Sequence, residues 1–449
     1  MGNKKTKTRE HSVIPDYRGV EWITSPLPDR VEPWQMGKRH SIGKDRTGHH
    51  SLKEELHRAV SHGSWRWPKQ PIYFLTDLHA DADAFAASLV ASGGVIKTGP
   101  KAKSFKLTKE GKKADFIIGG DCLDKGPSTL QLLDTLNKLR HSGARVRILA
   151  GNHDVRLLNG IRSLSLEREP LTEHFFVRLG PKVVPLLKEV RSRYLKGRNA
   201  LRGVPSKQNC RRQLFPSSRW FDEFVKEAVW VMPAPGIERE IMRMREKMAG
   251  FEAACNRGGL SLREAYAAAH KCREIFLDPK GEFSWFFHDM KLLHREGSFL
   301  FIHAGVNDRI TSVISNRGFK RLNRMFREQL TNELFEFYYG PLANTLRTKY
   351  RNVDMPLTRF GVKHIRHRGI HAIVHGHHNR TRGQRIMLRQ GMIHIEGDTS
   401  MDRNTRAKEG LQGIGAGVTI IRPEKRIIGI SSDYKFAKVF EPENLTDPE

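Results

Sequence analysis

Five short polar motifs, each directly after a short apolar run, constrain the fold of this chain more than any other feature. The apolar runs are β-branched or aromatic and are typical of strands covered on both faces. Each motif offers Asp, Asn or His side chains, which suit metal ions. The motifs are Asp77-Leu78-His79, Gly120–Gly126, Gly151–Asp154, Ile302–Gly305 and His375–His378.

The runs before the motifs predict five strands of an α/β fold. They are Ile72–Leu75, Phe116–Ile118, Val146–Leu149, Phe299–Ile302 and Ile370–Val374. In open α/β sheets, ligands gather beyond the carboxyl ends of the strands. We therefore expect the five motifs to converge on one site.

The residue types in the motifs indicate a two-metal centre that cleaves phosphate esters. Two divalent cations roughly 3.5–4 Å apart can clamp a phosphate while a hydroxide between them attacks phosphorus in line. Asp121 is the natural bridge between the metals, because its motif holds a second carboxylate, Asp124, for another task. His153, beside the amide ligand Asn152, can protonate the leaving oxygen, and Asp124 can orient its imidazole. Imidazole and amide ligands favour Mn²⁺, with Fe or Zn as alternatives, over Ca²⁺.

The five motifs resemble the calcineurin-like metallophosphoesterase superfamily, and most of all its phosphoprotein-phosphatase branch. The resemblance covers about residues 71–155 and 293–440 and implies a four-layer αββα sandwich. It also implies that His153 and Asp124 are the catalytic acid pair. The first metal would be held by Asp77, His79 and Asp121, and the second by Asp121, Asn152, His303 and His377.

Several positions depart from the pattern of the phosphoprotein-phosphatase branch. Lys125 stands where that branch has Arg as a phosphate clamp, and it keeps the charge without the planar fork. Arg359 resembles the Arg that bacterial members place between the fourth and fifth motifs, so it is predicted to bind phosphate too. Asn379 replaces a His found in phosphodiesterase-type members and favours phosphate monoesters. The alternatives are a nucleotide or dinucleoside-polyphosphate hydrolase, a nuclease, or a nucleic-acid-binding protein with a vestigial site.

Other histidines near the fifth motif have simpler explanations. His375 lies on an apparent strand and is expected to support the ligands from behind or to belong to the core. His378 can touch substrate, but an exposed surface position is the favoured interpretation. Asp398 and Thr399 are expected to return near the site.

Composition places the chain among soluble, basic proteins. Its 449 residues carry a formal net charge of +29, and residues 310–395 hold 16 Lys or Arg against 4 Asp or Glu. Such a surface can attract phosphorylated substrates, polyanions or nucleic acid, although a solvated basic face explains it equally well. No run approaches the ~18 apolar residues of a membrane span. The four cysteines are scattered without a Cys-x-x-Cys pair, which favours a reducing cytoplasm.

The order of these signals along the chain predicts five segments. Residues 1–70 are a basic extension, partly disordered at its start, whose tryptophans pin its later part to the core. Residues 71–155 and 293–440 are the two halves of the catalytic core. Residues 156–292 form a mainly helical insertion, either a cap that selects substrate or a packing appendage. Residues 441–449 are a C-terminal tail.

Overall fold

The computed structural model describes residues 13–37, 39–46 and 50–445, and it is a mixed α/β structure built on two large sheets. Its strands are β1 (Arg30–Pro33), β2 (Ile42–Lys44), β3 (Ile72–Leu75), β4 (Val95–Lys97), β5 (Phe105–Leu107), β6 (Asp115–Ile118), β7 (Arg145–Ile148), β8 (Leu293–Glu296), β9 (Phe299–Ile302), β10 (Ala372–His375), β11 (Arg385–Arg389), β12 (Met392–Glu396), β13 (Gly417–Arg422), β14 (Arg426–Ser431) and β15 (Phe436–Phe440). All five strands predicted before the motifs are present, as β3, β6, β7, β9 and β10, within two residues of their predicted ends.

Helices fill most of the remaining chain. They are α1 (Leu52–Val60), α2 (Ala82–Ala91), α3 (Thr129–His141), α4 (Asn152–Ser163), α5 (Val184–Tyr194), α6 (Lys207–Leu214), α7 (Trp220–Ala228), α8 (Ala234–Arg257), α9 (Leu262–Leu277), α10 (Ser284–Asp289), α11 (Asp308–Asn332), α12 (Leu334–Tyr339), α13 (Pro341–Asn344), α14 (Arg359–His367) and α15 (Arg403–Lys408). Short 3₁₀ segments lie at Val20–Trp22, Trp34–Met36, Val177–Val183 and Pro442–Leu445. Within the described part of the chain, no helix is both long and apolar enough to cross a bilayer.

The two large sheets face each other across an apolar core. The first has the order β1-β15-β14-β13-β3-β6-β7, and the second has the order β2-β11-β12-β10-β9-β8. Strands β3, β6 and β7 are parallel, as are β9, β10 and β12. Buried side chains of both sheets, among them Phe74, Ile117, Phe301 and Val374, form the layer between them. Their continuous apolar character explains why these runs become central strands.

Helices cover the outer faces of both sheets. On the first sheet, α2 contacts β13 and α3 contacts β7; on the second, α1 contacts β12 and α11 contacts β8. Helix α3 begins where Ser128 accepts a hydrogen bond from the backbone N–H of Gln131, a favourable N-terminal cap. Two sheets between outer helices give the αββα sandwich that was expected.

The N-terminal segment is integrated into the fold. It supplies β1, which pairs in parallel with β15, and β2, which pairs in parallel with β11. Trp34 is fully buried, and Trp65 stacks on Trp67 with ring centroids 5.7 Å apart and packs against Phe299. Trp34, Trp65 and Trp67 therefore fasten this segment to the core, whereas Trp22 is exposed. The disorder predicted at the start of the chain concerns residues 1–12, which lie outside the described residues, as do residues 446–449 of the tail.

Candidate metal centre and active site

Loops from the two sheets meet at the carboxyl ends of the motif strands and are held together by hydrogen bonds. The Asp77 backbone N–H donates to the Gly120 carbonyl at 3.0 Å, which joins the first two motifs. Two contacts then cross between the sheets: His303 Nδ1 lies 2.8 Å from the Gly119 carbonyl oxygen, and the His377 N–H donates to Asp77 Oδ2 at 2.9 Å. The structure thus brings all five motifs to one place, although the fourth and fifth lie far along the chain.

The backbone of these loops is unusually strained. Residues with positive φ are uncommon outside glycine and cost of order 1–3 kcal/mol each, so they persist only where the surroundings enforce them. In the motifs and beside them, positive φ occurs at Asp77, His79, Ala80, Asp121, Asp124, Lys125 and His377. The fold therefore fixes the orientation of these side chains at a cost in folding free energy.

Asp154 and two glycines fix the second and third motifs against each other. Asp154 is fully buried, and its carboxylate accepts hydrogen bonds from the backbone N–H groups of Cys122, Leu123 and Gly151 at 3.0–3.1 Å. A side chain at Gly151 would collide with the backbone nitrogen of Asp121, and one at Gly126 with the carbonyl oxygen of His79. Glycine is therefore required at both positions.

The potential metal ligands form two groups that share one carboxylate. Asp77, His79 and Asp121 have donor atoms within 4.8 Å of one another, and so do Asp121, His303 and His377. Asp77, His79, Asp121 and His303 are almost completely buried. A carboxylate common to two donor groups is the arrangement that a dinuclear centre needs.

The histidines of the second group are oriented by backbone carbonyls. The Gly119 carbonyl accepts from His303 Nδ1, so the Nε2 lone pair faces Asp121 Oδ2 at 3.4 Å. The Arg347 carbonyl, 3.1 Å from His377 Nε2, leaves Nδ1 of that ring for a metal. Such second hydrogen bonds fix the tautomer of metal-binding histidines. The Asn152 amide oxygen lies 3.3 Å from His303 Nε2, so it belongs to the same group.

The electrostatics of the buried carboxylates match a cation site. Burial raises the pKa of Asp77, because water cannot solvate its charge. Burial opposes protonation of His303, but the carboxylates of Asp121 and Asp77 prevail and raise its pKa to about 10. The two acids thus draw a positive charge into the protein interior. A divalent cation can supply that charge instead, and the donor set of carboxylate, imidazole and amide fits Mn, Fe or Zn.

His153 and Asp124 form a hydrogen-bonded pair beside the donor groups. His153 Nδ1 lies 2.9 Å from Asp124 Oδ2, and Nε2 points toward the ligands, 3.9 Å from Asp121 Oδ2. Burial lowers the pKa of His153, and the Asp121 and Asp124 carboxylates oppose that effect. Asp124 is half-buried, which favours its neutral form, but its bonds to His153 and Arg156 prevail and hold its carboxyl pKa below the usual range. Asp124 therefore stays ionised and fixes the imidazole with Nε2 facing the ligands.

Arg156 is a site residue that the motif analysis missed. Its Nη2 donates to Asp124 Oδ2 at 2.8 Å and lies 3.2 Å from His153 Nδ1. It stands three residues after His153 on α4, one helical turn along the same face. The spacing of three residues could have identified Arg156, because two residues one helical turn apart lie side by side on the helix.

The two predicted phosphate-binding residues lie in different places. Lys125 Nζ is 2.7 Å from His79 Nε2, so its charge lies directly at the donor groups. Arg359 is exposed at the start of α14 and lines a separate cavity with residues such as Arg58 and Arg366. The structure therefore brings Lys125 to the candidate centre and does not bring Arg359 there.

The surface position favoured for His378 is wrong. His378 is buried, and its Nδ1 lies 3.1 Å from Glu396 Oε1 because the chain folds back under the fifth motif. His375 stacks edge-on against His378, with ring centroids 4.9 Å apart, and Arg389 contacts Glu396 at 2.7 Å. These residues pack behind His377, and His375 is a buried core residue, as predicted. His375, His378 and Glu396 also have donor atoms within 4.8 Å of one another, but arginine already neutralises the carboxylate.

Asp398 does return near the donor groups. It is buried, and burial together with the nearby Asp77 carboxylate raises its pKa well above the usual range. Its Oδ1 accepts a hydrogen bond from the Ser400 backbone N–H at 2.9 Å. Asp398 thus places a buried carboxyl group beside the first donor group.

The sequence was compared with known families, curated proteins and solved structures. Residues 70–222 match a family model described as "Calcineurin-like phosphoesterase". The matched segment includes the first three motifs; the fourth and fifth join them only in the fold. A comparison with curated protein sequences gives no match.

Two similar solved structures are phosphatases. A cold-active protein-tyrosine phosphatase of a psychrophilic Shewanella species is 13% identical, with a TM-score of 0.42, over 83% of this chain and 80% of that one. A protein serine/threonine phosphatase from Saccharomyces cerevisiae, similar to human phosphatase PP5, is 12% identical with a TM-score of 0.34, over 83% of each chain.

Proposed function

We propose that this chain, which belongs to the calcineurin-like phosphoesterases, hydrolyses phosphate monoesters at the site formed by the five motifs. The family makes it a metal-dependent hydrolase of phosphoric esters. The monoester preference and the role of each residue are the proposal. The observation that carries them is the position of Asp121, shared by two buried donor groups and adjacent to the His153–Asp124 pair.

Two divalent ions would be held by the ligand set already described, with Asp121 common to both. Asp77 and His79 complete one group; Asn152, His303 and His377 complete the other. When bound, such ions supply Lewis-acid polarisation of the phosphate and activation of a water. Manganese as the physiological metal stays a prediction.

His153 provides the proton for the leaving group. As the water oxygen bonds to phosphorus and the ester P–O bond breaks, negative charge develops on the leaving oxygen. A proton on His153 Nε2 neutralises that charge, which is general acid catalysis. Asp124 holds the other ring nitrogen at 2.9 Å and stabilises the protonated imidazole until transfer.

Two cations beside the acid pair favour monoesters over diesters. Arg156 contacts Asp124 of the acid pair, and Lys125 contacts His79 of the first donor group. A phosphate monoester is mostly doubly charged near neutral pH, whereas a diester carries one charge, so cationic donors bind the monoester more strongly. Asn379, which replaces a His of phosphodiesterase-type members, is directed elsewhere: its amide donates to Glu409 at 2.7 Å.

The test is hydrolysis by purified protein with added Mn²⁺. The panel contains an aryl phosphate monoester, the matching diester, a phosphopeptide and a dinucleoside tetraphosphate. We expect monoester turnover to exceed diester turnover, and Asp121→Asn to abolish both. A clear preference for the diester or the tetraphosphate would overturn the monoester assignment and leave the metal-dependent hydrolase. The cytoplasmic location and nucleic-acid contact through the basic surface stay predictions.

A further inference from the structure

A pocket of 270 Å³ opens beside the acid pair, and its lining contains none of the six potential metal ligands. Asp124, Lys125, His153 and Arg156 form the wall nearest the reaction. Further lining residues come from Val177–Val183 and from the first half of α5, both within the helical insertion. His153 lines this pocket and its Nε2 lies 3.9 Å from Asp121 Oδ2, so a leaving group on a phosphate at the donor groups would reach the pocket.

The pocket carries more positive charge than its acids neutralise. Lys182 and Lys408 are exposed at its rim, in addition to Lys125 and Arg156 in its wall. Of the two acids that line it, Asp124 is occupied by His153 and Arg156. The other, Glu189, accepts hydrogen bonds from the start of α3, namely from Ser128 Oγ and the backbone N–H groups of Thr129 and Leu130. Asp124 also attracts Lys182, so two acids in the pocket lining face four cations.

Lys247, on α8, does not line the pocket but lies next to its wall. Its side chain lies across Gly180, where a methyl group would be only 3.3 Å from its Nζ and closer still to its Cδ. Burial lowers the pKa of Lys182; the Asp124 carboxylate opposes that shift, and Arg156, Lys125 and Lys247 add to it. These cations therefore repel one another. An anion placed among them would relieve that repulsion.

The rest of the pocket is apolar. Leu157, Leu179, Val183 and Leu186 line it and are otherwise buried. A small apolar pocket with a few convergent charged groups is the usual form of a small-molecule site. The volume suits a ring or a short hydrocarbon body rather than a protein chain.

We propose that this pocket selects small phosphate monoesters whose leaving group has a compact apolar body and a second anionic group. The inference rests on the proposed monoesterase function. Lys182 and Lys247 hold the second anion, and the leucine wall holds the body. The helical insertion therefore determines specificity, which makes it a selecting cap rather than a packing appendage.

The experiment uses two matched substrates, 4-(carboxymethyl)phenyl phosphate and its amide, 4-(carbamoylmethyl)phenyl phosphate. The methylene group keeps the two leaving phenols similar in acidity, so they differ in the distal charge. We expect the full-length protein with Mn²⁺ to prefer the carboxylate by about tenfold in kcat/KM, the size of a charge-assisted contact at a partly exposed site. The double variant Lys182→Met/Lys247→Met should lose most of that preference. Lys226→Met, an exposed lysine of the same insertion on α7, should keep it.

The outcomes separate the two proposals. Equal turnover of both substrates by the wild-type protein would overturn the second-anion inference and leave the monoesterase intact. An unchanged preference in the double variant would likewise overturn the role of the two lysines, with circular dichroism checking that the variant is folded. A phosphopeptide hydrolysed more efficiently than both probes would overturn the small-molecule assignment. Turnover of neither probe, nor of a simple aryl phosphate, would overturn the monoesterase itself.

Discussion

Replacing His153 with Asn tests the division of labour between metal binding and proton donation. His153 belongs to neither group of metal-donor atoms, and its backbone N–H donates to Asp121 Oδ1 at 2.8 Å. His153→Asn keeps that backbone bond, so the metals should be retained. What is lost is the proton donor, which is worth roughly 10²–10⁴-fold in rate. This corresponds to about 3–5 kcal/mol of transition-state stabilisation.

The loss should depend on the leaving group. A poor leaving group, such as an alkoxide or an unactivated phenol, needs the proton and should lose about 10³-fold in kcat. A dinitrophenyl phosphate leaves without protonation and should lose less than about tenfold. The assay is kcat across a series of aryl phosphates, with metal content measured on the same samples by plasma mass spectrometry. A uniform loss across the series, or loss of metal equal to that in Asp121→Asn, would refute the reasoning.

Three further perturbations follow from individual contacts. Arg156→Lys should lower kcat/KM by about tenfold because lysine lacks the planar fork of the guanidinium group. The matched control is Arg359→Lys, since Arg359 is exposed in a separate cavity. Equal effects of the two substitutions would contradict the placement of Arg156 in the site. Asp154→Ala leaves three buried N–H groups without their acceptor and should lower the free energy of unfolding by at least about 3 kcal/mol, measured by denaturant titration. His174 is fully buried among aromatic rings, which lowers its pKa to about 3. The unfolded chain therefore takes up a proton below pH 6.5 that the folded protein excludes, and stability falls as pH drops toward 3. His174→Phe should remove that loss. The unfolding free energy of the variant relative to that of the wild type should therefore rise by about 2 kcal/mol between pH 7 and pH 5. A difference between the two proteins that does not depend on pH would contradict this.

The strands, and the polar residues that follow them, were predictable because the signals are local. An apolar run followed by Asp, Asn or His is visible in the sequence, and β3, β6, β7, β9 and β10 appeared where those runs lie. The order of the motifs then implied convergence at the strand ends. What joins them, such as the bond from His377 N–H to Asp77, depends on two sheets facing each other and could not be read from either segment.

Other features were missed because they arise from tertiary packing. His378 is polar and follows a loop, so an exposed position was the natural expectation, but Glu396 on a neighbouring strand supplies a buried partner. Arg359 stands in a familiar sequence context, yet α14 directs it to a different cavity. The pocket beside His153 depends on where the residues around Val183 pack in the tertiary structure, and no local sequence pattern predicts that packing.

The most direct test of the central claim is a metal titration of activity. The protein would be stripped with a chelator and then assayed on an aryl phosphate monoester as Mn²⁺ is added, with Asp121→Asn alongside. The account predicts no activity without metal, recovery as two ions bind per chain, and no recovery in Asp121→Asn. Full activity in the stripped wild-type protein, or equal recovery in Asp121→Asn, would contradict it.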